Sequence, residues 1–176
     1  MNIKKILNPN TQKFRNFWEI YVNSFDPNER RSQDSQIKLL NNKLYKLFIA
    51  LEENQSVGFL AAWEFDKVVY IEHFAITEKL RNKGIGTALL MDYLAQKNKL
   101  IILEVDRPEN EIAKRRIVFY ERLGFRLNIY DYIQPPYEQD KQVVPMFLMT
   151  FPREINNDEF LEIRSLFYRL VYGRGV

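Results

Sequence analysis

The sequence predicts an α/β fold built on a mixed, mostly antiparallel sheet flanked by helices. Three observations carry this. Three strand-like stretches, Tyr45–Leu51, Val57–Phe65 and Val68–Ile76, follow one another across the short gaps "EENQS" and "DK", as in an antiparallel meander. A helical stretch then leads to "LIILEV" at Leu100–Val105, a nearly all-apolar run that suits a strand buried on both faces. With Val68–Ile76 it would close a right-handed β-α-β unit, so those two strands should be parallel. Finally, "RLNIYDYI" and "VVPMFLMTF" read as a last strand pair joined by the proline-bearing "QPPYEQDKQ".

The helices have their own signals. In "KFRNFWEIYVNSF" the residues Phe14, Phe17, Trp18, Tyr21 and Phe25 recur at helical spacing, and Pro27 should end that helix. "SQDSQIKLLNNK" predicts a shorter second helix. "RNKGIGTALLMDYLAQKNK" predicts a third, with Leu89, Leu90, Tyr93 and Leu94 on its apolar side. "ENEIAKRRIVFYERLGF" predicts a fourth, closed by Gly124 as its C-terminal cap. The chain ends in a helix over 157–172, with acids in its first turn and Arg169 near its end.

Composition narrows the function. At 176 residues the chain reads as one domain, 1–176, large enough to bury a core without cross-links. With no cysteine, thiolate nucleophiles and zinc–cysteine sites are excluded, and a single histidine, His73, excludes a multi-histidine metal centre. No metal is expected. No apolar run fits a signal peptide or approaches the roughly 20 residues of a membrane span. The expectation is a soluble, cytoplasmic protein without a membrane partner. The net charge of +3 suits a polyanionic small molecule, whereas interleaved acids argue against a nucleic-acid surface.

The most informative stretch is "TEKLRNKGIGTALL", Thr77–Leu90. Bare backbone and two cations at a helix start make a physically sensible anion site. The helix N-terminus offers unpaired N–H groups, and glycine lets a phosphate approach them. A P-loop would need Gly-Lys-Ser/Thr after the second glycine, which "KGIGTALL" lacks. A dinucleotide fingerprint would need a small residue where Leu89 stands, and glycines directly after the strand. The remaining reading is the pyrophosphate loop of acyl-coenzyme A enzymes.

Here the chain resembles a known family. "IEHFAITEKLRNKGIGTALL", followed by "LIILEV" and "FYERLGF", is similar to the GNAT superfamily of N-acetyltransferases, strongly over Tyr70–Phe125 and in element order over nearly the whole chain. The resemblance implies a seven-stranded mixed sheet whose parallel central strands, around Ile76 and Leu103, splay apart. Acetyl-CoA would lie in that gap as co-substrate. Its pyrophosphate would rest on Arg81, Asn82, Lys83, Gly84, Ile85, Gly86 and Thr87, and its pantetheine arm on the backbone of Phe74, Ala75 and Ile76. One departure concerns the fourth helix, where Ala113 and Arg116 replace the asparagine and alanine common in the family. Arg116 is left to reach a CoA phosphate or to stay in solvent.

The implied reaction moves an acetyl group to a primary amine of a small molecule or peptide by direct attack on the thioester. An alkyl ammonium of pKa about 10.4 must first lose a proton, and a thiol of pKa about 8.5 leaves more easily when protonated. Tyr120 in "FYERLGF" matches the family's thiol-protonating tyrosine; packing beside Phe119 and Phe125 is its structural alternative. Glu72 is the candidate base, against the alternative of an exposed strand glutamate bridged to a lysine. His73 is the reserve, on the opposite face of a regular strand unless a bulge redirects it, and Glu104 is the third. The acceptor would meet Phe25, Glu29 and Arg30 from "SFDPNERRSQ" and Tyr137 from "YIQPPYEQDKQ", stretches that also read as a solvated charge cluster and ordinary turn chemistry. A homodimer is compatible with all of this. The competing function is a non-catalytic acyl-CoA-binding module on the same fold.

Overall fold

The computed structural model describes residues 1–174. They fall into two compact units, one over Met1–Lys99 and one from Leu100 to the end of the described residues.

The first unit holds β1 (Asn2–Lys5), α1 (Gln12–Ser24), α2 (Gln33–Leu39), β2 (Tyr45–Glu52), β3 (Gln55–Glu64), β4 (Val68–Ile76) and α3 (Ile85–Ala95). Its strands pair antiparallel in the order β1–β2–β3–β4. β2 and β3 are joined by Glu53 and Asn54, both at positive φ (49° and 65°), the conformation of a two-residue hairpin turn that follows the strand twist. Thr11 caps α1 by accepting from the Phe14 N–H at 3.3 Å; of the predicted apolar stripe Phe14, Phe17 and Tyr21 are buried, joined by Ile20, while Trp18 and Phe25 are half-buried. The ring of Phe17 meets Phe59 of β3 edge-on at 4.8 Å, so α1 is seated over the centre of the meander.

β1 has no counterpart in the strand signals, because four mostly exposed residues with two lysines show no alternation. α1 ends at Ser24 with Phe25 as its C-cap, before Pro27 as predicted, and Pro27 itself opens a short 3-10 turn, Pro27–Glu29, capped by the side chain of Asp26. One expectation is corrected: the third helix begins at Ile85, so "RNKG" is loop.

The second unit holds β5 (Leu100–Asp106), α4 (Glu111–Arg122), β6 (Arg126–Gln134), β7 (Val144–Phe151) and α5 (Asn157–Leu170), with β7 between β5 and β6 and antiparallel to both. α5 starts on a reciprocal cap: Asn156 accepts from the Glu159 N–H, and the Glu159 carboxylate accepts from the Asn156 N–H. The stretch "RLGF" closes α4 as predicted. Gly124 takes φ 92° and donates to Glu121 O, and the Phe125 N–H returns to Tyr120 O at 3.1 Å. The ring of Phe125 then packs on that of Tyr120 at 5.6 Å.

Candidate active site

The loop after β4 is shaped by its backbone. Thr77 anchors it, since both its N–H and its hydroxyl donate to Val57 O at 3.0 Å. Asn82 (φ 63°) and Gly84 (φ 80°) then turn the chain so that α3 starts abruptly at Ile85. No side chain caps this helix, and it has no acid in its first turn. The amides of the first turn are therefore left as donors beside the exposed Arg81 and Lys83, and a Cβ built on Gly84 would meet nothing within 4 Å. Arg81 folds back so that Nε donates to Ile76 O at 3.2 Å, linking the loop to the end of β4. Of the seven residues predicted to hold a pyrophosphate, Arg81–Gly84 and Thr87 are exposed, while Ile85 and Gly86 are half-buried and Ile85 packs against the core.

β4 carries a bulge. Ala61 of β3 lies opposite His73 and Ala62 opposite Ile71, which leaves Glu72 as the extra residue. The bulge turns Glu72 and His73 toward the same neighbours, rather than to the opposite faces of a regular strand. The Glu72 side chain is fully buried, not exposed, and its partner is Arg31, not a lysine: Arg31 Nη1 donates to Oε1 at 2.7 Å. Burial pushes the Glu72 carboxyl up, but the Arg31 guanidinium and then His73 outweigh it and hold the group below the usual carboxylate range. Oε2 lies 3.7 Å from His73 Nδ1, beyond hydrogen-bond reach, and accepts no hydrogen bond among the described residues.

The same bulge gathers the predicted acceptor residues of the first unit. The Phe25 ring meets His73 edge-on at 4.7 Å, and the Glu29 carbonyl lies 2.8 Å from His73 Nε2. The Arg31 N–H donates to Tyr21 Oη at 2.9 Å, so the segment after α1 is tied down by backbone as well as side chain. Arg30 is near enough to Tyr21 to act on its phenol, whose pKa is pushed up chiefly by burial. In the sequence Arg31 reads, with Glu29 and Arg30, as a holder of a carboxylate-bearing acceptor or as solvated charge, and Tyr21 as one more rung of an apolar stripe; the pairing of Arg31 with the chain's own Glu72 left no signal.

In the second unit, the cap after α4 sets Tyr120 at the helix end, 8% exposed. Burial, ahead of the opposing effects of Arg116 and Asp106, pushes its phenol up to about 12. Arg116 donates to Asp106 Oδ2 at 2.6 Å and stays partly exposed. Glu104 of β5 is half-buried and accepts from Tyr132 Oη and Tyr172 Oη, and Tyr137 packs against Tyr172. Among the described residues, no cluster of three or more histidine, cysteine or acidic side chains is arranged to hold a metal ion, and no helix is long and apolar enough to cross a membrane.

The chain belongs to the GNAT acetyltransferase family. The acetyltransferase (GNAT) domain model matches residues 43–127. A GNAT-family protein from Bacteroides thetaiotaomicron is 34% identical over 99% of this chain and 100% of its own, with a TM-score of 0.93. Two more distant structures share the fold at 19% identity. One is the ribosomal-protein-S18-alanine N-acetyltransferase of Escherichia coli (TM-score 0.62, covering 89% of this chain and 96% of that one). The other is a GNAT family acetyltransferase of Elizabethkingia anophelis with acetyl-CoA bound (TM-score 0.58, covering 85% and 95%). No curated protein sequence matches the chain. The fold predicted from the sequence is the fold of this family.

Proposed function

We propose that the protein is an acetyl-CoA-dependent N-acetyltransferase that acetylates a primary amine of a small molecule or peptide. The observation that carries this reading is the Arg81–Thr87 loop, where a left-handed Gly84 opens α3 with its first amides uncapped and cations alongside. Those amides and the charges of Arg81 and Lys83 fit a pyrophosphate, and we assign the backbone of Phe74, Ala75 and Ile76, just before the loop, to the pantetheine arm. Acetyl-CoA, when bound, supplies an acetyl thioester.

The chain's residues then divide the proton work. Tyr120 holds a proton at every ordinary pH and gives it to the departing sulfur as the carbon–sulfur bond breaks. Glu72 stays ionised, with Oε1 held by Arg31, and receives the amine's proton on Oε2 directly or through water. Phe25, Glu29 and Arg30, with Tyr137 of the β6–β7 connection, contact the acceptor. The decisive experiment is to follow thiol release from acetyl-CoA across a panel of amines. Hydrolysis-level release with every amine would favour the non-catalytic acyl-CoA-binding alternative.

Two variants test the parts. Gly84→Val places a β-branched residue at φ 80°, which it avoids, and adds bulk where phosphate must sit. CoA should bind at least about tenfold more weakly, a difference of about 1.4 kcal/mol. Unchanged affinity in a folded variant would remove the loop from the cofactor site. For Glu72→Gln the signature is in pH. A base works only above its pKa, and this carboxyl is held low, so the wild-type acidic limb of kcat/KM should lie below about pH 4.5 when the amine itself has a low pKa. The variant should lose that limb. A profile of unchanged shape assigns the base to water or another residue.

A further inference from the structure

The C-terminal end of α5 returns to β5 and to the β6–β7 connection at several points. Tyr172 Oη donates to both oxygens of Glu104, at 2.9 and 3.0 Å, and its ring lies 5.1 Å from that of Tyr137, tilted by 36°. Tyr168 Oη donates to Ile133 O at 2.6 Å, and Arg174 Nη2 donates to Pro136 O at 3.0 Å. Gly173, at φ 63°, turns the chain so that Arg174 can reach across. Tyr132, fully buried, gives Glu104 another phenol donor. The arrangement is a half-buried carboxylate, oriented by two buried phenols, beside the half-buried face of Tyr137. Tyr132, Tyr137 and Tyr172 all lie outside residues 43–127, the part matched by the family model.

A carboxylate accepts hydrogen bonds, and an aromatic face attracts cations; an ammonium has three donors and no acceptor. We propose that Glu104 and Tyr137 form a subsite for a positively charged group of the acceptor, and that Tyr172 is the residue that positions both. The proposal rests on reading the β6–β7 connection as part of the acceptor site. A nearby carboxylate favours the protonated form of an amine, whereas the attacking nitrogen must lose its proton. The group held here is therefore a second, non-reacting ammonium, and the acceptor class is a diamine or longer polyamine-like chain.

The test compares diaminobutane with n-butylamine. In the wild type KM should be lower for the diamine by about tenfold or more, the scale of one charge-assisted contact. Glu104→Gln should abolish that preference by raising KM for the diamine toward that for n-butylamine, while CoA affinity stays nearly unchanged. Tyr172→Phe, which keeps the ring on Tyr137 but removes the hydroxyl, should erode the preference in the same way. If Tyr172→Phe does not fold, Glu104→Gln alone decides. Equal KM values for the two amines in the wild type, or a preference that survives Glu104→Gln, would overturn the proposal. So would an equal fall of kcat for both amines, which would put Glu104 at the reacting nitrogen. Should the wild type acetylate neither amine, calorimetric binding of diaminobutane separates the two readings. Binding lost in Glu104→Gln supports the subsite without the transferase activity, and binding that is absent or unchanged overturns it.

Discussion

Tyr120→Phe should lower kcat by about 10²–10⁴-fold, the usual range for a lost general acid, while CoA affinity changes little. The reason lies in how the sequence ends α4. The Gly124 turn and the Phe125 N–H bond to Tyr120 O fix the last helical turn, and Phe125 packs on the Tyr120 ring, so the phenol has little freedom left to lose in the transition state. Phenylalanine keeps the ring and these contacts and removes only the proton. Burial has two opposed consequences. It pushes the phenol up to about 12, which weakens its driving force toward a thiolate, and it keeps the proton in place at every assay pH. The sign follows directly: an acid acts while protonated, and this one is protonated below about 12. The alkaline limb of kcat up to about pH 10 should then owe nothing to Tyr120. A variant within about threefold of wild-type kcat would sink the acid role and leave Tyr120 as packing; in that case a modest stability change of about 1 kcal/mol is the most to expect.

Local chemistry is what the sequence displays most clearly. The "RLGF" cap could be read because glycine just past a helix end has a ready physical explanation, and Gly84 at the start of α3, left-handed at φ 80°, could be read as a turn for a similar reason. The span of β4 was legible from its β-branched and aromatic run, and the possibility of a bulge at Glu72–His73 from the family resemblance. β1 was hidden because a short edge strand with one solvated face carries almost no pattern. The supports of the site were hidden for a different reason. Arg31 meets Glu72 from 41 residues away, and Tyr172 meets Glu104 from 68 residues away. Neither pairing leaves a trace in periodicity or spacing. What decides them is burial, and burial of a charged group depends on which distant partner the fold supplies. The sequence therefore singled out Glu72, Glu104 and Tyr120 as candidates more readily than the residues that hold them.

That difference gives the second large effect, on stability. Arg31→Met should cost about 3–5 kcal/mol at pH 7, because it leaves the fully buried Glu72 carboxylate without its counter-charge. Methionine retains much of the side-chain length, so the loss is electrostatic rather than a cavity. Linkage fixes the pH dependence. In the wild type the folded-state pKa of Glu72 is depressed, so its contribution is present above the unfolded value of about 4.3 and is lost as pH falls through the lower folded value. In Arg31→Met burial dominates and the folded-state pKa should rise above the unfolded one. The penalty is then largest at neutral pH and shrinks as pH falls through that raised value. Denaturant unfolding at several pH values should show the gap between wild type and variant closing toward acid. Adding Glu72→Gln to Arg31→Met should recover most of the loss at pH 7, since an uncharged amide needs no counter-ion. A loss under about 1 kcal/mol, or one independent of pH and not relieved in the double variant, would mean that Glu72 reaches solvent or another cation once Arg31 is gone. The same measurement bears on catalysis. If Arg31→Met binds CoA normally but its kcat/KM profile acquires an acidic limb shifted to higher pH, then Arg31 is what keeps the β4 carboxylate ionised while the amine gives up its proton.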